Sequence, residues 1–214
     1  MSNSTPPTLL FVIGPAAVGK MTVGGSIAER TGFRLFHNHL TIEPLLRLFP
    51  YRSPQFQRLN HAFREQILAE AAGADLPGLV FTLVWDFEDP EDAALVERYA
   101  APFRERGARV LFLELSADQS VRLERNGGES RLTEKASKRD LAWSNANLVD
   151  MDAKYRLNSV DDFAHIPEAH LLIDNTHLEP DEVAELAVAH FGLRAPAGAG
   201  PATAARPAPA TGRQ

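Results

Sequence analysis

The segment GPAAVGK, residues 14–20, has the spacing of a phosphate-binding loop, Gly-x-x-x-x-Gly-Lys. Its glycines allow the backbone to direct N–H groups inward around a polyphosphate. A helix that begins at the lysine would present its positive N-terminus to the same oxygens, and the Lys20 ammonium could contact the phosphoryl group being transferred. An apolar run, LLFVI (9–13), precedes the loop, and a helical segment, 20–31, follows it. This context favours a nucleotide phosphate site over a glycine-rich turn that happens to carry a lysine.

The residue after the lysine departs from the common form of this loop. Many such loops carry Ser or Thr there and bind Mg²⁺ directly through the hydroxyl, whereas this chain has Met21 and places Thr22 one position later. A thioether is a poor ligand for a hard cation. Direct coordination of Mg²⁺ by the residue next to Lys20 is therefore excluded.

The sequence KMT (20–22) resembles the Lys-Gly-Thr of adenylate kinases, with Met in place of Gly. Over 8–194 the chain is loosely similar to the P-loop small-molecule kinases, the superfamily of adenylate kinase, shikimate kinase and chloramphenicol phosphotransferase. The resemblance implies that the chain binds ATP and Mg²⁺, with Thr22 on a phosphate and the metal held largely through water. The loop residues that it assigns to the nucleotide are Gly14, Pro15, Ala16, Ala17, Val18, Gly19, Lys20, Met21 and Thr22.

The acceptor is expected where the second strand ends, since that point borders the acceptor site in this superfamily. The sequence there reads FHNHL (36–40), and the resemblance implies that His37, Asn38 and His39 bind the acceptor. A polar strand end with a hydrogen-bonded histidine is the alternative, and two histidines alone do not define a metal site. The resemblance further implies a helical acceptor-binding insert at about 40–73. Each of its four arginines is more typical of a solvated surface charge, and Arg58 is the candidate ligand among Arg47, Arg52, Arg58 and Arg64.

A cluster of carboxylates follows the third predicted strand, in LVWDFEDPED (83–92). Asp86 would lie at the carboxyl edge of the sheet, where it could hold Mg²⁺ through water or accept the proton of an attacking hydroxyl. A turn aspartate before Pro90 is the alternative. Nucleoside-monophosphate kinases carry Asp-Gly-x-Pro-Arg at this place, and the chain lacks that arginine. Because acidic residues crowd this segment, we expect a neutral or positively charged acceptor.

A short lid is implied by the resemblance at about 120–132, within SVRLERNGGESRL. By position, Arg122 would lie near adenine, and Arg125 and Arg131 would be lid cations on the phosphates. The planar guanidinium suits both phosphate pairing and stacking on a ring. Ordinary surface arginines are the alternative. Asn175, in the turn after the last predicted strand, is a further candidate neighbour of adenine.

The elements that would position these residues alternate along the chain. Continuous apolar runs typical of buried parallel strands are LLFVI (9–13), FRLF (33–36), GLVFTLVW (78–85), RVLFLEL (109–115) and HLLID (170–174). Helical apolar faces are predicted over 55–72, with Phe56, Leu59, Phe63, Ile67 and Leu68, and in a last helix with Val183, Leu186, Val188 and Phe191. SADQ (116–119) has the form of a capping box for a helix that stops at Gly127. The pattern predicts a three-layer α/β fold with a five-stranded parallel sheet and helices on both faces.

The composition fits one domain. The chain has 214 residues, 44% hydrophobic residues, no cysteine and a net charge of -6. These values exclude disulfides and thiolate chemistry and argue against nucleic-acid binding. We find no signal peptide or membrane span and expect a cytoplasmic protein, a monomer or a homodimer. The N-terminal 1–7 should be flexible, and the Ala/Pro/Gly-rich 195–214 should be a disordered tail.

These observations predict an ATP-dependent phosphotransferase that moves the γ-phosphoryl group to a hydroxyl of a small molecule, with an antibiotic or secondary metabolite among the candidates. A nucleoside-monophosphate kinase is one alternative. An ATP-hydrolysing regulatory module is another, and it would show hydrolysis that needs no acceptor.

Overall fold

The computed structural model describes residues 6–127, 141–165 and 168–193. Its centre is a five-stranded sheet with the strand order β2-β3-β1-β4-β5, and all the strand pairs are parallel. The strands are β1 (Thr8–Ile13), β2 (Arg34–His37), β3 (Gly78–Thr82), β4 (Val110–Ser116) and β5 (Ala169–Asp174). Because parallel strands end at one edge, the loops after β1, β2 and β3 meet there.

Seven helices in the described part of the chain accompany the sheet. They are α1 (Lys20–Thr31), α2 (His39–Leu46), α3 (Pro54–Gly73), α4 (Pro90–Arg104), α5 (Gln119–Asn126), α6 (Leu141–Lys154) and α7 (Pro180–Phe191). A short 3-10 turn, Asp162–His165, precedes β5. Among the described residues, no helix is long and apolar enough to cross a membrane.

The core consists of two apolar layers, one on each face of the sheet. On β1, Phe11 points into a cluster with α3 and α4 that contains Leu68 and Tyr99. Its neighbour Val12 points to the opposite face, into a cluster with α1 and α7 that contains Ile27. Both β1 side chains are fully buried, which explains why the strand is continuously apolar. The predicted three-layer α/β fold with a five-stranded parallel sheet is confirmed.

Three local predictions were wrong. β3 ends at Thr82, its last pairing with β2, although Leu83 and Trp85 beyond it are still buried in the core. Ser116 is the last residue of β4 and caps no helix, because α5 begins three residues later with Asp118 at its N-cap. On α7, Leu186 is 51% exposed, and the buried positions are Val183, Ala184, Ala187 and Phe191.

The predicted face of α3 was correct at Phe56 and Leu68 but wrong at Leu59 and Phe63, and this error matters for the site. Leu59 and Phe63 are 39% and 46% exposed. The buried face is rotated and carries two polar side chains, Asn60 and Arg64, each 5% exposed, together with Phe56 and Leu68. The apolar periodicity identified the helix correctly but assigned its inner face by hydrophobicity alone.

Candidate nucleotide and acceptor site

The loop between β1 and α1 has the backbone shape that its sequence predicts. Gly14 and Gly19 have φ of 131° and 102°, in the region that favours glycine. A Cβ on Gly14 would lie 2.3 Å from the Leu115 carbonyl oxygen. Ala17 has a φ of 62°, so a non-glycine residue adopts a left-handed conformation at the centre of the loop. Such strain is retained where the surrounding structure fixes the backbone, as it is expected to do at a binding site.

Lys20 begins α1 and folds over this loop. Its Nζ donates hydrogen bonds to the carbonyl oxygens of Gly14 and Pro15, both at 2.6 Å. The ammonium therefore lies at the N-terminus of α1, where the helix dipole also favours an anion. The loop and Lys20 are therefore a candidate site for a polyphosphate.

A cavity of about 890 Å³ extends from this loop to the insert formed by α2 and α3. Residues of the loop and of the start of α1, from Ala16 to Val23, form its middle. One end of the cavity, the nucleotide end, is lined by Arg125, Asn175, Leu178, Glu179 and Pro180. The other end, the acceptor end, is lined by residues that include Asn38, His39, Arg52, Asn60, His61, Arg64 and Asp92.

At the nucleotide end, Arg125 and Asn175 are brought together as neighbours. Nη2 of Arg125 donates to the carbonyl oxygens of Asn175 at 2.8 Å and Thr176 at 3.3 Å. Its Nη1 is buried and has no hydrogen-bond partner within the described residues. The side-chain amide of Asn175 donates to the Val18 carbonyl oxygen at 2.9 Å and so connects the end of β5 to the phosphate loop. Arg125 and Leu178 both line this end, and a guanidinium plane can stack on a planar base.

Arg122 does not line the cavity. It is 6% exposed, and its guanidinium forms a two-pronged ion pair with Asp152 of α6, at 3.1 and 2.5 Å. Nη1 of Arg122 also donates to the carbonyl oxygen of Ala16 at 3.4 Å. Arg122 thus contacts the backbone of the phosphate loop and helps to hold it in place. Arg125 rather than Arg122 lines this end of the cavity.

At the acceptor end, only some of the predicted residues line the cavity. Asn38 and His39 line the cavity, whereas His37, the last residue of β2, does not. Arg58 is on the exposed face of α3 and lies outside the cavity. Arg64, two turns further along, is buried and lines it. Nε of Arg64 donates to Thr41 Oγ1 at 3.0 Å, and Nη2 donates to the Asn38 carbonyl oxygen at 3.1 Å.

The acidic segment contributes one carboxylate to the cavity, and it is Asp92 rather than Asp86. Asp92 lies in the first turn of α4, and its Oδ2 accepts a hydrogen bond from the Asp86 amide at 2.9 Å. Asp86 Oδ1 instead accepts from the amides of Glu88 and Arg156, so Asp86 holds its own loop together. Asp86 was expected at the cavity because β3 was predicted to run to Trp85. The strand ends earlier, so the chain turns away before Asp86.

The other acidic residues of this segment have structural partners. Glu88 pairs with Arg156, Asp89 caps α4 and Glu91 lies in the first turn of that helix. Burial raises the pKa of Asp92, although the hydrogen bond from the Asp86 amide acts in the opposite direction. Burial also lowers the pKa of His61, and the nearby positive charge of Arg64 lowers it further.

Several residues that line the cavity were not among the predicted ligands. They are Arg52, Asn60, Arg64 and Asp92 at the acceptor end, and Trp143, Asn147 and Met151 from α6. Asn60 and Arg64 are four residues apart, in phase with Phe56 and Leu68 on α3. This spacing could have indicated that the two polar side chains lie on the buried face of the helix. No sequence motif indicated that residues of α6 would line the cavity.

Part of the predicted lid lies outside the described residues. Arg131 belongs to 128–140, and the predicted tail, 195–214, and most of the N-terminal 1–7 also fall outside. Of the predicted lid, the structure describes α5, which ends at Asn126 as its glycines predicted.

The donor atoms of the cavity fit an Mg²⁺ ion that arrives with a nucleotide. Within the described ranges, no group of three or more His, Asp or Glu side chains could hold a metal ion unaided. Thr22 and Asp92 do supply oxygen donors to the cavity, and Mg²⁺ prefers oxygen. This set would suit a metal bound mainly by phosphate oxygens and water, with Thr22 as a candidate protein ligand.

Comparisons with known proteins place the fold. No protein-family model matches the sequence, and no curated protein matches it. Among solved structures, the chain is similar to a sugar kinase from Janibacter sp. HTCC2649, with 16% identity over 88% of this chain and 96% of that one and a TM-score of 0.52. The shikimate kinase of Acinetobacter baumannii is 14% identical over 88% and 94% of the two chains, with a TM-score of 0.51.

A third similar structure is the Mycobacterium tuberculosis APS kinase, solved with AMPPNP and APS. It is 13% identical over 87% of this chain and 98% of that one, with a TM-score of 0.54. At these identities the comparison concerns architecture, and it agrees with the resemblance found in the sequence. The chain has the fold of the P-loop small-molecule kinases.

Proposed function

We propose that this chain is a phosphotransferase that moves the γ-phosphoryl group of ATP to a hydroxyl of a small molecule. The observation that carries the proposal is the continuity of one cavity. It joins the phosphate loop and Lys20 to a separate, polar end that contains Asp92. An enzyme that transfers a phosphoryl group must hold donor and acceptor in line, and a single cavity with two distinct ends permits this arrangement.

The nucleotide would occupy the loop and the end marked by Arg125. The loop amides and the N-terminus of α1 would bind the β- and γ-phosphates, and the Lys20 ammonium would neutralise charge on the phosphoryl group in transit. The base would lie against Arg125 and Leu178, where Nη1 of Arg125 is buried without a hydrogen-bond partner among the described residues. When bound, Mg²⁺ would supply further charge neutralisation on the phosphate oxygens, held on the protein side by Thr22 and water.

In the transfer step, the acceptor hydroxyl oxygen forms a bond to the γ-phosphorus while the bond from that phosphorus to the bridging oxygen of ADP breaks. The hydroxyl proton passes to the Asp92 carboxylate. Burial raises the pKa of Asp92 and so makes its ionised form a better proton acceptor. The Asp86 amide holds one oxygen of this carboxylate through Oδ2. The phosphorylated acceptor and ADP are the products.

A nucleoside-monophosphate kinase remains the second candidate. The sequence lacks the arginine that those kinases carry after the third strand, but α3 and the loop before it supply Arg64 and Arg52 to the acceptor end. Two guanidinium groups could receive an acceptor phosphate.

The proposal is tested by incubating the protein with ATP and Mg²⁺ against panels of metabolites, antibiotics and nucleoside monophosphates. ADP formation identifies active wells, and mass spectrometry should find an acceptor that has gained one phosphoryl group. Lys20→Ala is the matched control. Modification of a nucleoside monophosphate alone would select the second candidate, whereas equal product from Lys20→Ala would contradict both.

A further inference from the structure

Arg64 differs from the other buried arginine of the described structure in having no acidic partner. Arg64 and Arg122 are 5% and 6% exposed. Arg122 is neutralised by two contacts to Asp152. Arg64 forms no ion pair with any carboxylate of the described residues. A buried charge without a counter-ion is energetically costly. Among the described residues, Arg122 has a counter-ion and Arg64 has none.

The groups that touch Arg64 are neutral. Its hydrogen bonds go to the Thr41 hydroxyl and the Asn38 carbonyl oxygen. The Tyr99 hydroxyl also lies beside it, and burial raises the pKa of Tyr99 to about 12, so it carries no charge at neutral pH. These contacts fix the orientation of the guanidinium without compensating its charge. Burial lowers the pKa of Arg64, as an uncompensated charge requires.

The cavity wall around Arg64 provides hydrogen-bonding groups without an anion in contact. Asn60, one turn earlier on α3, accepts a hydrogen bond from the Thr41 hydroxyl at 2.6 Å through Oδ1, and it lines the cavity with His61. Asp92 interacts with Arg64 electrostatically, without an ion pair between them. One carboxylate oxygen of Asp92 already accepts a hydrogen bond from the Asp86 amide. The acceptor end therefore presents the fixed, buried guanidinium of Arg64, the exposed guanidinium of Arg52 and a single carboxylate, Asp92.

We propose that Arg64 binds an anionic group of the acceptor, a carboxylate, sulfate or phosphate, and that the acceptor is therefore a hydroxylated acid. This inference rests on the proposed function, because it names the substrate class of the same site. It replaces the sequence-based expectation of a neutral or positively charged acceptor. That expectation needed the carboxylates of 86–92 to face the acceptor, and among them only Asp92 lines the cavity.

Inorganic sulfate is a suitable probe, provided that the phosphate loop is first occupied. We would saturate the protein with AMPPNP and Mg²⁺ and follow thermal unfolding as sulfate is added, with chloride at matched ionic strength as the reference. The expected result is a saturable rise in Tm for the wild type. The general stabilising effect of sulfate does not saturate and is common to all variants.

Three variants make the test specific. Arg64→Gln should lose the saturable shift, and Arg58→Gln, on the exposed face of the same helix, should keep it. Asn60→Asp has nearly the same shape but places a carboxylate beside the guanidinium. It should raise Tm without sulfate and abolish the sulfate-dependent shift. This variant keeps the test informative if Arg64→Gln does not fold.

A saturable shift that is equal in Arg64→Gln and wild type would overturn the inference, as would no shift in the wild type. So would an acceptor without any anionic group that both proteins phosphorylate equally well. Failure of the proposed function is recognised separately, because AMPPNP would then fail to raise Tm in the wild type or would do so equally in Lys20→Ala.

Discussion

The two ends of the cavity are built in different ways. The proposed phosphate site is one continuous segment, residues 14–22, which would bind mainly through backbone amides and the ammonium of Lys20. The acceptor end takes side chains from α2, α3, α4 and the end of β3. A site made by backbone needs a local sequence, whereas a site made by side chains needs only that the fold bring them together. The two ends should therefore respond differently to mutation.

The largest effect on turnover is expected at the phosphate loop. Lys20→Ala removes the one ammonium that lines the cavity of the described structure, and phosphoryl transfer should fall by about 10³-fold. The far-ultraviolet circular dichroism spectrum and Tm should be unchanged. Lys154→Ala is the matched control, because Lys154 is an exposed lysine paired with Asp150 on α6. Unchanged turnover in a folded Lys20→Ala protein would remove the kinase interpretation.

A smaller loss, about 10²-fold in kcat, is expected for Asp92→Asn at the acceptor end. ATP affinity should be retained, because Asp92 serves the acceptor hydroxyl. Glu91→Gln, next to it in the first turn of α4, should change little. If Asp86→Asn reduced kcat more than Asp92→Asn did, the assignment of the proton acceptor would be wrong.

The pH dependence of kcat/KM, compared between the wild type and Asp92→Asn, tests the assignment of Asp92 as the proton acceptor. Burial raises the pKa of Asp92, so the wild-type kcat/KM should rise with pH as Asp92 loses its proton, at a pH above the ordinary range of an aspartate. The rise should vanish in Asp92→Asn. For stability the sign is opposite: a raised pKa in the folded state favours folding at low pH, and that contribution is lost as pH increases through the folded-state value.

The structural role of Arg122, which does not line the cavity, is tested by a substitution at its partner Asp152. Asp152→Asn leaves Arg122 buried without its counter-ion, and the free energy of unfolding should fall by about 3–5 kcal/mol. Urea denaturation measures this value. Removing the exposed pair on the same helix, with Asp150→Asn, should change the free energy of unfolding far less, because solvent screens that pair. Equal losses from the two substitutions would show that Arg122 does not need its partner.

The smallest effect is expected for Met21→Ser. If the metal is held mainly by phosphate oxygens and water, the side chain after Lys20 is not a ligand, and turnover should stay within several-fold of wild type. The new hydroxyl should lower the Mg²⁺ concentration needed for half-maximal activity. Loss of nucleotide binding in both Met21→Ser and Met21→Gly would indicate that Met21 is needed for packing.

The same contrast explains how much could be predicted from the sequence. The sheet, the phosphate loop and α1 could be predicted, because each depends on a short run of residues. Arg64 and Asp92 could not be assigned, because the inner face of α3 and the end of β3 are set by tertiary packing. Arg58 and Arg64 carry the same side chain on one helix, and only the packed helix distinguishes the exposed one from the buried one.

The central claim is that the two ends of the cavity act on one phosphoryl group. It is tested most directly by measuring ADP and phosphorylated acceptor in the same reaction, with an acceptor found in the screen. Coupled transfer should give one phosphorylated acceptor for each ADP, and ADP formation should fall to a trace without the acceptor. ADP formed at the same rate with and without the acceptor would contradict it and would indicate an ATP-hydrolysing module instead.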